Sequence, residues 1–126
     1  MKTIVIEGVK GHIHPNGGGW VANSALVAES AHIGMGARVG NQTRVGEGAV
    51  ISEEVRIRNN VWIGNWARIG SHARISSYVW IDSEAWIGEG VQISSMAQIG
   101  SKARVGKGIQ IGQGEIILPL TRIPDR

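Results

Sequence analysis

From Val21 to Ile117 every sixth residue is Val or Ile, without a slip in register: Val21, Val27, Ile33, Val39, Val45, Ile51, Ile57, Ile63, Ile69, Ile75, Ile81, Ile87, Ile93, Ile99, Val105, Ile111, Ile117. A period of six does not track the 3.6-residue turn of a helix. The chain also carries 19 Gly, and that much Gly beside Val and Ile opposes helix by propensity.

Call each Val or Ile position 1. Position 5 is then small or aliphatic, as in Ala31, Ala37, Val55, Val61, Ala67 and Ala73. Position 6 is mostly large and polar or aromatic: Arg38, Arg44, Arg56, Trp62, Arg68, Arg74, Trp80, Trp86, Arg104. Each hexad therefore holds a triplet that alternates in, out, in, the period of a short half-buried strand. Position 2 is Gly at more than half of the sites, and positions 3 and 4 are rich in Asn, Ser, Glu and Gly. Such residues tolerate the backbone angles of tight turns, so they mark corners.

Three strands and three corners make one coil, and a fixed short period is the mark of a solenoid whose coils stack as parallel strands about 4.8 Å apart. The expected fold is all-β, a triangular-prism parallel β-helix of five to six coils. Inner columns follow at every third hexad, for example Val21-Val39-Ile57-Ile75-Ile93-Ile111. Each buried aliphatic contributes roughly 1.5–3 kcal/mol gross, so this core dominates the chain.

The sequence resembles the hexapeptide-repeat proteins. Their motif is an aliphatic residue, then Gly or another small or acidic residue, two free positions, a small residue and one more free position. Ile33-Gly34-Met35-Gly36-Ala37-Arg38 and Ile69-Gly70-Ser71-His72-Ala73-Arg74 match it. The resemblance implies a left-handed coil and threefold packing of prisms along their length, a homotrimer. It is similar in particular to the short hexapeptide-repeat proteins of bacteria and their phages.

The 126 residues are expected to form one domain. Residues 1–19 are a capping strand and turn, 20–116 the coils, and 117–126 a last partial rung and C-terminal cap, where Pro119 and Pro124 remove ladder donors. There is no Cys, hence no disulfide framework and no thiolate metal site. No stretch reads as a membrane span or a signal peptide, so the expected compartment is the cytoplasm. A net charge of +3 is too mild to suggest specific nucleic-acid binding. His12 and His14 flank Ile13 ahead of a Pro-Gly-rich turn. They read as exposed turn residues, since no ligand cluster completes a metal site. No motif calls for a cofactor.

Outward columns recur every third hexad. One reads Trp20, Arg38, Arg56, Arg74, Gln92, Gln110; a second Leu26, Arg44, Trp62, Trp80, Gln98, Ile116; the third His32, Val50, Arg68, Trp86, Arg104. Trp62 and Trp80 should stack, and Arg38, Arg56 and Arg74 should form a ladder. Stacked cations repel unless an anion intervenes, and Glu47, Glu53, Glu54, Glu84 and Glu89 are the candidates within the chain. Arg and Trp together suit a subunit interface, and they also suit a pocket for a planar anion such as a nucleotide, with guanidinium on phosphate and indole on base. The ligand-binding candidates are Arg38, Arg44, Arg56, Arg68, Arg74, Trp62, Trp80 and Trp86.

Enzymes of the hexapeptide group imply a loop between coils that carries a catalytic His, together with a separate acceptor-binding domain, and neither is seen here. Only His32 and His72 lie in the coils, on different columns, so the three-His metal site of the related carbonic-anhydrase type is not matched. The expectation is therefore a non-catalytic trimeric module for binding or assembly, holding an anionic small molecule between subunits. The alternative is an acyl-CoA-dependent acyltransferase with its active site between subunits and His72 as the candidate base.

Overall fold

The computed structural model describes residues 2–126. No helix occurs among them, and the strands form three flat faces. The first is an eight-stranded sheet, and the other two have six strands each. Strands β1 (Ile4–Ile6) and β2 (Val9–Ile13) form an antiparallel hairpin, and β3 (Trp20–Ala22) opens the first coil. After β3 every strand is two residues long, positions 6 and 1 of a hexad, as in Arg38–Val39 and Trp62–Ile63. Each pairs in parallel with the strands one coil away, so the chain winds as a left-handed parallel β-helix. With three strands per turn, the 18 strands from β3 onward (20 − 2) give six turns.

The interior is built as the hexad pattern requires. Ile33, Ile51, Ile69, Ile75 and Ile81 are buried, and the position-5 residues Ala37, Val55, Val61 and Ala67 are fully so. Thr43 is the polar exception in that inner layer. Its hydroxyl donates to the Arg58 carbonyl at 2.9 Å, so its burial leaves no polar group unpaired.

Corners turn at position 4. From Gly36 to Leu120 every position-4 residue has φ between 56° and 77°. This conformation aims its N–H at the preceding coil: Trp66 N–H donates to the Glu47 carbonyl at 2.8 Å, and His72 N–H to Glu53 at 3.1 Å. The hydrogen-bond ladder thus continues around the corners. Position-2 glycines have a different cause. They lie against the next coil's backbone, where a Cβ on Gly64 would meet the Ser83 nitrogen at 2.5 Å. Close approach, not an unusual φ, is what most of the position-2 glycines supply.

The hairpin is part of the first face. β2 pairs antiparallel with β3, matching Gly11 with Ala22 and Ile13 with Trp20, and so covers the open edge of that sheet. Trp20 locks it: its Nε1–H donates to the Ile4 carbonyl at 2.9 Å, and its ring lies over Gly11. Trp20 is consequently buried rather than an open rung of its outward column. The turn after β2 covers a second edge, since Ile33 N–H donates to Asn16 O and Gly19 N–H to Ile33 O. At the other end the register runs on: Arg122–Ile123 pairs in parallel with Arg104–Val105.

Candidate functional site

Each face carries a groove, and each groove has its own chemistry. Face 1 bears the arginine ladder. Arg38 is in register with Arg56, and Arg56 with Arg74. Arg58, on the flanking corner, lines the same groove of about 410 Å³. Among the described residues the only carboxylate in its lining is Glu7, from the turn between β1 and β2. None of Glu47, Glu53, Glu54, Glu84 and Glu89 lines it, because all five stand on corners that follow strands of faces 2 and 3, whereas the groove runs along face 1 and the corner after it.

Face 2 is apolar. Trp62 and Trp80 stack with centroids 5.0 Å apart and planes 6° from parallel. The Arg44 guanidinium lies 5.0 Å from the Trp62 ring. Leu26, Ile116, Leu118 and Pro119 extend this wall along a groove of about 690 Å³. On face 3, Trp86 is sandwiched: Arg68 sits 5.1 Å from its ring and Arg104 4.3 Å. Arg104 is in register with Arg122, and both line a groove of about 620 Å³.

The ladder of Arg38, Arg56 and Arg74 is on one face, Trp62 and Trp80 on another, and Trp86 on a third. The Trp62 ring already contacts Arg44 and Trp80, and Trp86 contacts two guanidiniums, so neither leaves an open face for a nucleobase. His72 stands exposed on a corner with φ 63°, and it lines none of the three grooves.

The N-terminal histidines diverge. His12 Nδ1–H donates to Asn23 Oδ1 at 2.8 Å. His14 is buried, and its Nε2–H donates to the Ala31 carbonyl at 3.0 Å. The expectation of an exposed His14 is corrected: the ring is buried beside the coil and finds a backbone partner in Ala31. No group of three or more His, Cys, Asp or Glu suited to a metal occurs among the described residues. Arg58 and Glu7 were missed from sequence, because Arg58 lies off the position-6 columns and Glu7 reaches the groove only through the hairpin.

Comparison with solved structures finds acyltransferases on this scaffold. The acetyltransferase domain of PglB from Neisseria gonorrhoeae is 26% identical, with a TM-score of 0.81 over 90% of this chain and 53% of that one. The chain therefore spans about half the length of that relative. An N-acyltransferase from Bacillus cereus, AntD, solved with dTDP and coenzyme A, is 13% identical with a TM-score of 0.67, covering 86% of this chain and 73% of that one. Perosamine N-acetyltransferase from Caulobacter crescentus, solved with CoA and GDP-perosamine, is 21% identical with a TM-score of 0.59, covering 79% and 51%. No curated protein matches in sequence.

These findings overturn the expectation of a non-catalytic module. That expectation rested in part on the missing loop between coils. A loop is one way to bring functional groups to the side of a solenoid, and here the outward columns themselves line three grooves. The family profile of the GMPPB C-terminal domain matches residues 21–125, nearly all of the coiled region, and the chain belongs to the GMPPB C-terminal domain family.

Proposed function

We propose that the chain is an acyl-CoA-dependent acyltransferase unit that works as a homotrimer, with its active site between copies. Its likeness to the acetyltransferase domain from Neisseria gonorrhoeae, 26% identical with a TM-score of 0.81, carries this reading. The apolar wall of face 2 supports the assembly. Leu26, Trp62, Trp80, Ile116 and Leu118 are exposed on this face, with Arg44 and Gln98 between them in the column, and an exposed mixture of Trp, Leu and Arg suits a subunit contact.

In the reaction, an acceptor amine or hydroxyl attacks the thioester carbon, the C–S bond breaks, and CoA leaves as its thiol. A base takes the acceptor proton and a proton returns to sulfur. His72 is the candidate base: its corner position leaves the imidazole free to face a neighbouring copy and an acceptor bound there. Arg44 and Arg68 are candidates to hold CoA phosphates beside the tryptophans. Thiol release from acetyl-CoA with a panel of amine and hydroxyl acceptors, run alongside native mass spectrometry, tests the proposal. Turnover by a trimer, abolished in His72→Ala, is the expected result. Absence of thiol release with every acyl-CoA and acceptor would sink it.

A further inference from the structure

The arginine groove of face 1 lies apart from His72, Arg44 and Arg68, the residues assigned above to acyl transfer. Three guanidiniums repeat at the strand spacing, so Arg38 to Arg74 spans about 10 Å. With Arg58 the groove holds four cations against the single carboxylate of Glu7. Its rim adds donors. Asn59 Oδ1 accepts from Asn41 N–H at 2.9 Å, and Asn41 Oδ1 accepts from the Ser24 hydroxyl at 3.0 Å. Both oxygens are thereby engaged in the corner, which leaves the two side-chain amides as donors.

The charge is bounded at both ends. Beyond Arg74 the column continues with neutral Gln92 and Gln110. Before Arg38 comes Trp20, closed off beneath the hairpin. A long polyanion would leave most of its charge beyond such a short run. A compact oligoanion matches it. The lining offers no exposed aromatic ring, since Trp20 is buried and the other indoles lie elsewhere. Nothing there selects a base.

We infer that face 1 is an oligophosphate site in which Arg38, Arg56, Arg58 and Arg74 hold a di- or triphosphate group whatever organic group it carries. Guanidinium forks pair with phosphate oxygens in a bidentate manner, and a bound anion removes the repulsion within the ladder. Glu7 opposes binding, as the one like charge facing the ligand. The source of the phosphates can be a nucleoside diphosphate compound or the diphosphate of CoA, and the two are separated by experiment. The inference does not depend on acyl transfer.

Isothermal titration with inorganic triphosphate tests it on the full chain. Binding of one triphosphate per chain is expected, weakened at least tenfold in Arg56→Gln and in Arg74→Gln. Arg104→Gln, on another face, should bind within twofold of the parent, and Glu7→Gln should bind several-fold more tightly. ATP, GTP and UTP should agree within about twofold. Arg56 and Arg74 are exposed, so the variants should keep the parent circular dichroism and melting temperature. CoA displacing triphosphate, with the same loss in Arg56→Gln, identifies CoA as the source; a nucleoside diphosphate compound displacing it where CoA does not identifies the other. Absence of triphosphate binding, equal loss in Arg104→Gln, or affinity that climbs steadily with polyphosphate chain length would overturn the assignment.

Discussion

The six-membered ring of Trp66 covers the α-carbon of Gly48, one coil away on the same corner: a Cβ on Gly48 would sit 2.2 Å from the ring. Gly48 also has φ 66°, so two separate costs meet at one position. Gly48→Ala should lose about 2 kcal/mol, roughly half from the left-handed backbone and half from displacing the indole. In Gly48→Ala combined with Trp66→Gly the clash disappears, and the loss relative to Trp66→Gly should fall to about 1 kcal/mol. Urea unfolding of the four proteins checks the cycle; strict additivity would show that the ring does not rest there.

Gly64 and Gly90 separate the two uses of glycine in this coil. Gly90 has φ 70° with nothing within 4 Å of a Cβ, so Gly90→Ala should cost only about 1 kcal/mol. Gly64 needs no positive φ, but a Cβ there would drive into the backbone of Ser83. Neighbouring coils would have to part, so Gly64→Ala should cost more, about 2–3 kcal/mol. Thermal melting of the two variants should rank them in that order.

Bulky corner residues store strain in the same way. Met96 has φ 64° and is more than half exposed, so it gains little burial in return for its left-handed backbone. Met96→Gly should raise stability by about 0.5–1 kcal/mol, the relieved strain exceeding the added unfolded-state entropy. A lower melting temperature in Met96→Gly would mean that the side chain makes contacts worth more than the strain.

Trp20 ties the hairpin to the coil through one hydrogen bond and one ring contact. Trp20→Phe deletes the bond to the Ile4 carbonyl and should cost about 1 kcal/mol. The effect should be local: amide exchange over residues 4–13 should accelerate, while Ile63 and Ile69, deep in the coil, should keep their protection. Uniform acceleration along the whole chain would mean that the hairpin and the coils unfold as one unit.

The core was readable without coordinates. Ile57, Ile63 and Ile69 fall at positions that only a six-residue strand-and-corner unit can bury together, and all three are inside. The stack of Trp62 on Trp80 and the Arg38–Arg56–Arg74 register were legible for the same reason, since residues 18 apart lie one strand spacing apart. The corners were only half legible. Asn, Ser and Gly marked them, but Trp66, Tyr78 and Leu120 share the left-handed conformation at position 4, because the stacked coils impose it whatever the residue.

The candidate site was less accessible. Arg58 follows an inward Ile and so escapes a reading that looks only at outward columns, yet its corner position brings it into the groove. Glu7 and Trp20 reach their places through an antiparallel fold-back whose register no repeat encodes. The absence of a loop between coils was accurate as a description of residues 20–116, but it did not bear on whether the faces carry chemistry.

The sequence by itself determined which side chains point inward, which share an outward column and how many turns the coil makes. A strict period of six leaves one way to turn the recurring position-1 Val and Ile inward together. Only the tertiary structure decided which of those columns stay open. Ring faces on Trp62 and Trp86 are taken by their neighbours in the column, Trp20 is covered by the hairpin, and the arginines of face 1 are left facing outward with one carboxylate among them. Those outcomes depend on how side chains stack between coils and where a non-repeating segment folds back, and the period carries no information about either.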